Sequence, residues 1–360
     1  MANQYGNNIK LSVFGGSHDP EIGMRLTGLP AGFAPDLNAL RQFLARRAPN
    51  GGAFSTPRKE ADTPEFLAGL TDGVTDGSEL HAIIRNTNAH SKDYSFIYDT
   101  PRPGHADFAA LQKYGNAVDL RGGGHFSGRL TAPLCIAGGL ALQYLAARGI
   151  HVGAHIERIH GIPDTRFDAV NVDKPTLDAL KEMPFPVLDA QKGEEMQNAI
   201  TAARAAGDSV GGAVECAVTG LPTGLGEHMF AGVEGRFAAL LFSIPAVKGV
   251  EFGAGFGAAE LLGSENNDPF VTDGKTVRTA TNNCGGILGG MTNGMPLVFR
   301  VAFKPTPSIA KEQQTVSLTR MENTTLSIGG RHDPTVVVRA VPVVEAAAAL
   351  AVLDLILDET

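Results

Sequence analysis

The chain is predicted to be an α+β protein, one large domain over residues 1–360 with sheets packed on helices. Three observations point there. Strand-like and helix-like segments come in groups instead of strict β-α-β alternation, which disfavours a doubly wound parallel sheet. No Ser- or Pro-rich linker and no repeat period divides the 360 residues, and 43% of them are hydrophobic, enough for one large core. Forty-four glycines exceed the needs of a helical bundle and imply tight turns or close approach of ligands to backbone.

The elements follow in order. Residues 11–14 alternate and read as a strand ending at Gly15-Gly16. Residues 36–47 have helical spacing, with Asp36 as N-cap. Residues 66–70 and 80–85 read as strands, with the turn-rich Thr71-Asp72-Gly73 between them. Residues 132–148 form an Ala- and Leu-rich helix stopped by Gly149, and its Gly138-Gly139 pair predicts close packing against another element. A strand at 152–159, a helix at 194–206 and an alternating strand at 212–219 come next. The remainder is a helix at 233–242, a strand at 297–303 and a buried terminal helix at 342–357, with Pro342 near its first turn.

Composition excludes several classes of function. A formal net charge of −8 argues against a nucleic-acid groove or an anionic membrane surface. The absence of Trp and an aromatic content of 6% disfavour base-stacking surfaces. No apolar run has membrane-spanning length; residues 346–357 are too few and include Asp354. Cys135, Cys216 and Cys284 are far apart and odd in number, fitting neither a disulfide framework nor a metal-ligand spacing. The start of the chain has no signal-peptide pattern, so cytoplasmic residence is expected, with no nucleic-acid or membrane partner and no metal.

Four segments carry chemistry. Phe14-Gly15-Gly16-Ser17-His18-Asp19 puts a histidine on a glycine-freed turn directly after a strand, a place where it can act as acid or base. In Arg102-Pro103-Gly104-His105-Ala106-Asp107, proline fixes the backbone and glycine turns it, so that Arg102 and His105 can face one ligand. Arg121-Gly122-Gly123-Gly124-His125-Phe126-Ser127-Gly128-Arg129 exposes backbone N–H groups ahead of a helix N-terminus, which suits an anion. It has neither the lysine of a P-loop nor the spacing of a dinucleotide fingerprint. Lys304-Pro305-Thr306-Pro307-Ser308 and Gly329-Gly330-Arg331-His332-Asp333-Pro334 complete the set. Each of the four could alone be an ordinary polar turn. Two further stretches point elsewhere. His155-Ile156-Glu157-Arg158-Ile159-His160 lacks zinc-protease spacing and alternates faces on a strand, so its histidines are expected to be solvated or packed. Gly285-Gly286-Ile287-Leu288-Gly289-Gly290 reads as close backbone packing or ligand approach.

Taken in order along nearly the whole chain, these segments resemble the chorismate synthase family. Phe14 to Asp19 is similar to its Phe-Gly-Glu-Ser-His-Gly, and Arg85-Asn86-Thr87 with Asp93-Tyr94-Ser95 to its next block. Arg102 to Asp107, Gln112-Lys113-Tyr114-Gly115 and Arg121 to Gly124 match almost letter for letter. So do Gly207-Asp208-Ser209, Ala246-Val247-Lys248-Gly249-Val250-Glu251, Gly285 to Gly290, Lys304-Pro305-Thr306 and Gly330 to Pro334.

The resemblance implies a β-α-β sandwich without a flavin-reductase domain, assembled as a homotetramer. It also implies the FMN-dependent anti-1,4-elimination of phosphate from 5-enolpyruvylshikimate 3-phosphate to give chorismate, the last step of the shikimate pathway. The cofactor would be reduced FMN from a separate flavin reductase, with NADPH only an indirect reductant. By the same match His18 protonates the departing phosphate, His105 protonates or orients the reduced flavin, and Asp333 relays a proton. Arg47, Arg102 and Arg129 clamp substrate anions, and Arg47 also matches the pyridine-nucleotide position. The flavin-contacting positions fall on His125, Phe126, Ser127, Pro245, Ala246, Gly289, Lys304, Pro305, Thr306, Pro307, Ser308 and Arg331. The chain departs from the family pattern at Lys10, Gly16, Asp19, Ala48, Ala53, His125, Phe126, Leu130 and Pro245. Two other readings stand beside this one: a catalytically impaired flavin- or anion-binding protein on the same fold, and a lyase acting on a related phosphorylated substrate.

Overall fold

A strand with one apolar face needs a second layer to cover it, and in this chain helices packed on one another lie between the two sheets. The computed structural model describes residues 4–49, 54, 62–86, 96–329 and 333–359. The first sheet is antiparallel throughout, in the order Gln4–Tyr5, Lys10–Gly15, Glu21–Thr27, Leu80–Arg85, Glu65–Ala68. The second, also antiparallel, runs Val247–Phe252, Leu297–Phe303, Gly212–Thr219, His151–Ile159, Ile162–Pro163. The helices are α1 (Leu37–Arg47), α2 (Asp107–Tyr114), α3 (Thr131–Ala146), α4 (Lys174–Lys181), α5 (Ala190–Ala205), α6 (Val233–Leu241), α7 (Gly263–Asn266) and α8 (Val337–Ile356). α3 packs against the first sheet and α8 against the second, and the two helices pack on each other. One apolar cluster therefore runs through both sheets and the helices between them.

The sequence reading of these elements holds at most positions. Asp36 caps α1, its side chain accepting hydrogen bonds from the backbone N–H groups of Asn38 and Ala39. The glycine pair in α3 marks close packing: a Cβ on Gly138 would overlap Ala346 of α8, and one on Gly139 would lie 2.5 Å from Cδ1 of Leu40 in α1. Two helices begin earlier than expected: α5 starts at Ala190, capped by Asp189, and not at Glu194, and the terminal helix departs further. It begins at Val337, not at Pro342, so the proline lies inside it. An interior proline costs about 3 kcal/mol. Nearly every residue from Val341 to Leu355 is buried, and that apolar burial outweighs the missing hydrogen bond.

α8 is apolar on all sides, yet it carries two buried carboxylates, and each is satisfied. Asp354 accepts from the backbone N–H groups of Asn7, Asn8 and Ile9, tying the edge of the first sheet to the helix. Glu345 takes both arms of the Arg46 guanidinium, at 2.6 and 3.0 Å, and the N–H of Ala154. No helix of the described residues is long and apolar enough to cross a membrane.

His155 is packed, as expected for a strand position, but it is also ion-paired. Its ring is fully buried on the outer face of the second sheet, with Nδ1 2.9 Å from Asp164 and Nε2 2.9 Å from Glu215. Burial opposes its charge, but hydrogen bonds to the two carboxylates outweigh that and raise its pKa. The raised value sets the sign: its stabilising contribution is complete below about pH 6.5 and is lost as pH rises through the folded-state pKa. Urea unfolding between pH 6 and 9 should therefore show the advantage of wild type over His155→Gln shrinking as pH rises. A constant advantage would contradict the buried imidazolium.

Candidate active site

Three adjacent glycines shape one wall. Gly122, Gly123 and Gly124 all have positive φ (59°, 97° and 52°), which residues with a Cβ rarely adopt in succession. Space imposes the same choice: a Cβ on Gly122 would overlap the His18 ring, and one on Gly124 would overlap the Asp119 carbonyl. The loop docks on the turn after the strand Lys10–Gly15. Ser17 N donates to Gly124 O at 3.1 Å and His125 Nδ1 donates to Gly15 O at 2.7 Å. The second bond fixes the His125 tautomer and leaves Nε2 as acceptor on the neutral ring. Arg121 turns aside to Asp119 and does not line the cleft.

His105 sits opposite, at the start of α2. Its Nδ1 lies 2.7 Å from Asp107 Oδ1 and 3.1 Å from Arg102 Nη2. Both neighbours cannot be served by one nitrogen. The shorter, charge-assisted contact to Asp107 takes the proton, and Arg102 Nη2 is already committed to the same carboxylate at 2.7 Å. Asp107 thus accepts from His105 and from two arms of Arg102. Burial raises its pKa, but these bonds and charges win and hold it well below the usual carboxylate range. His105 Nε2 is left facing Gly123, where a Cβ would stand 3.3 Å away.

The anion-clamp arginines share a carboxylate. Arg47, at the end of α1, and Arg129, just before α3, each place Nη1 on one oxygen of Asp62, whose side chain is fully buried. Arg47 Nε also donates to Thr131 Oγ1 at 3.1 Å and Nη2 to Gly128 O at 3.0 Å, while Arg129 Nε donates to Asn86 Oδ1 at 3.1 Å. Burial works against ionised Asp62, but the two guanidinium groups lower its pKa overall.

The far wall comes from the second sheet and α8. Lys304 Nζ donates to Gly104 O, and burial together with the neighbouring Lys248 charge lowers the Lys304 pKa. Ser308 Oγ accepts from Arg102 Nη1 at 3.4 Å. Thr306 Oγ1 is buried and has no hydrogen-bond partner among the described residues. Asp333 meets Arg339 Nη1 at 2.9 Å just ahead of α8.

These walls enclose a cleft of about 700 Å³. The structure brings together Arg47, Arg102, His105, His125, Phe126, Ser127, Arg129, Pro245, Ala246, Lys304, Thr306, Pro307, Ser308 and Asp333 around it. Three expected residues are not on its lining. His18 packs against Gly122, behind Ser17, with both ring nitrogens buried. Pro305 turns toward Gly211, and Gly289 lies at the tip of the hairpin Ile287–Leu288 with Met291–Thr292, tied to the start of α6. Arg331 and Ala53 lie outside the described residues. Sequence reasoning missed Asp62, Asp107, Lys248 and Arg339 as site residues. Asp107 stood in the quoted motif, and Arg339 stands six residues beyond Asp333.

The sequence profile of chorismate synthase matches residues 9–357. The chorismate synthase of Lancefieldella parvula is 49% identical, over 98% of this chain and 96% of that protein. The chorismate synthase of Thermococcus kodakarensis is 47% identical, over 97% and 96%. A crystal structure of chorismate synthase superposes with a TM-score of 0.77 at 28% identity, over 98% of this chain and 93% of the other. It confirms the expected fold class. Profile, full-length relatives and fold agree, and the chain belongs to the chorismate synthase family.

Proposed function

We propose that this protein converts 5-enolpyruvylshikimate 3-phosphate to chorismate and phosphate in the cleft, with reduced FMN bound beside the substrate. The observation that carries the reading is His105, which lines a cleft edged by Arg47, Arg102, Arg129, Lys248 and Lys304 and has its Nδ1 fixed on Asp107. A trianionic substrate and an anionic cofactor call for that excess of cations in a chain that is acidic overall. The residues fit a flavin. Thr306 Oγ1 is buried with no described hydrogen-bond partner, Gly104 and Gly128 put bare backbone on the cleft wall, and Phe126 and Pro245 offer apolar contact. His125, Ser127, Ala246, Lys304, Pro307 and Ser308 would hold it as well, together with Arg331.

Reduced FMN, when bound, supplies an electron that eases phosphate departure and is recovered as the ring hydrogen leaves. The chain's own groups do the rest. Arg47 and Arg129 orient the phosphate and carboxylates by charge-assisted bonds. By the family match the proton for the leaving phosphate is assigned to His18, which would act from behind the cleft lining beside Ser17, and His105 Nε2, bare while Nδ1–H is held by Asp107, takes up and returns a proton beside the flavin. Asp333 accepts the proton released at the end. The same reading takes the protein to be a cytoplasmic homotetramer that receives reduced flavin from a separate reductase.

An anaerobic assay with dithionite-reduced FMN and 5-enolpyruvylshikimate 3-phosphate tests this, chorismate and phosphate being followed together. Both should appear in equal amounts. Folded, flavin-loaded protein without turnover would instead point to the impaired binding protein.

A further inference from the structure

We propose that Arg339 is a positioning residue: its guanidinium locks the Asp333 carboxylate to the main chain of Arg47. This rests on Asp333 acting as the proton acceptor. Arg339 Nε donates to Arg47 O at 2.9 Å and Nη1 donates to Asp333 Oδ2 at 2.9 Å. The two partners lie 286 positions apart in the chain (333 against 47), so no local backbone geometry sets their separation.

Each contact has a physical reason. Arg47 is the last residue of α1, and carbonyls of a final helical turn have no intrahelical donor. A cation is favoured at that end of the helix as well. Asp333 sits just ahead of α8, on a segment without regular structure, so its carboxylate depends on side-chain partners for orientation. The Asp333 and Arg339 side chains are only 18% and 19% exposed, which limits screening of the pair. A planar guanidinium can serve two acceptors in fixed directions, whereas a lysine ammonium offers one point charge. One helical stretch further on, Glu345 takes both arms of Arg46, so α8 grips the last two residues of α1 through opposite charges.

The Arg47 guanidinium has its own anchors in Asp62, Thr131 and Gly128. Losing Arg339 should therefore disturb Asp333 much more than it disturbs substrate binding. Arg339→Ala is expected to lower kcat by about 30-fold with KM within about threefold, the pattern of a group that acts on chemistry and not on binding. Because it acts through Asp333, the double variant with Asp333→Asn should be no slower than Asp333→Asn alone. Guanidinium ion added to Arg339→Ala should restore part of the rate, which a merely structural defect would not allow. Calorimetry on flavin-free protein should find substrate affinity within about threefold of wild type.

Losses that multiply in the double variant would overturn the proposal, as would an unchanged kcat or a tenfold loss of affinity. If Arg339→Ala does not fold, Arg339→Lys decides, since an unchanged kcat there also overturns it. Wild-type protein without turnover would sink the proposed function and this inference together. Multiplying losses in an active wild type sink this one alone.

Discussion

Turnover of His105→Ala is expected to fall by about a hundredfold or more, the usual worth of a positioned acid or base. Substrate affinity should stay close to wild type. The separation follows from geometry. Substrate anions are assigned to Arg47 and Arg129, which are held by Asp62, Thr131 and Asn86, and His105 contacts none of these. Removing the imidazole leaves Arg102 and Asp107 joined by two contacts of 2.7 Å, so no buried charge is stranded and the fold survives. Asp107 is held far below the usual carboxylate range, so it remains ionised at any assay pH above about 4 and keeps His105 in one tautomer. Asp107→Asn should mimic part of the loss, because an amide can present either atom to Nδ1 and no longer fixes the ring. Single-turnover rates beside calorimetric substrate binding read the two effects separately. An unchanged rate in His105→Ala would remove its assigned role, and a rate that falls only in step with affinity would make it a binding residue.

The parts of the fold that depend on local pattern were legible in the sequence. The strands Leu80–Arg85, Gly212–Thr219 and Leu297–Phe303 end where alternation and turn residues say they should. α2 was missed because Asp107–Tyr114 is short and follows a motif read for its chemistry. The strand Glu21–Thr27 was missed because Gly23 interrupts its pattern; that glycine leaves room for the Phe14 ring and the Ala82 carbonyl. Pro342 misled because its local preference was weighed without the burial around it.

For the site, residues next to one another in sequence were readable and those joined across space were not. His105 and Arg102 came from one turn, whereas Asp62 reaches Arg129 over 67 positions and no periodicity connects them. Its only signal was a carboxylate closing the charged stretch Arg58-Lys59-Glu60-Ala61-Asp62. Two of the departures from the family pattern, Gly16 and Asp19, touch each other in the structure. The Asp19 carboxylate lies 3.2 Å from the place a Gly16 Cβ would take, so a bare position 16 leaves room for it.

Asp62→Ala is expected to destabilise the protein by about 3–5 kcal/mol, the cost of stranding buried charge by removing one partner. The Arg47 and Arg129 guanidinium groups each lose their contact with this carboxylate, and neither can turn to solvent, since their side chains are 2% and 7% exposed. The effect has a definite pH signature. Asp62 has a lowered folded-state pKa, so its contribution is present in full above the unfolded value of about 4 and is lost as pH falls through the folded one. Urea unfolding of wild type and variant should differ most near neutrality and converge as pH falls below about 4. If Arg47 and Arg129 clamp phosphate, inorganic phosphate should also stabilise Asp62→Ala more than wild type, because the added anion takes the place of the missing carboxylate and binds only the folded state. A variant as stable as wild type would show that Asp62 is not what holds the arginines. A destabilised variant that phosphate does not help would instead move the phosphate subsite away from this pair, toward Lys304 and Lys248 on the opposite wall.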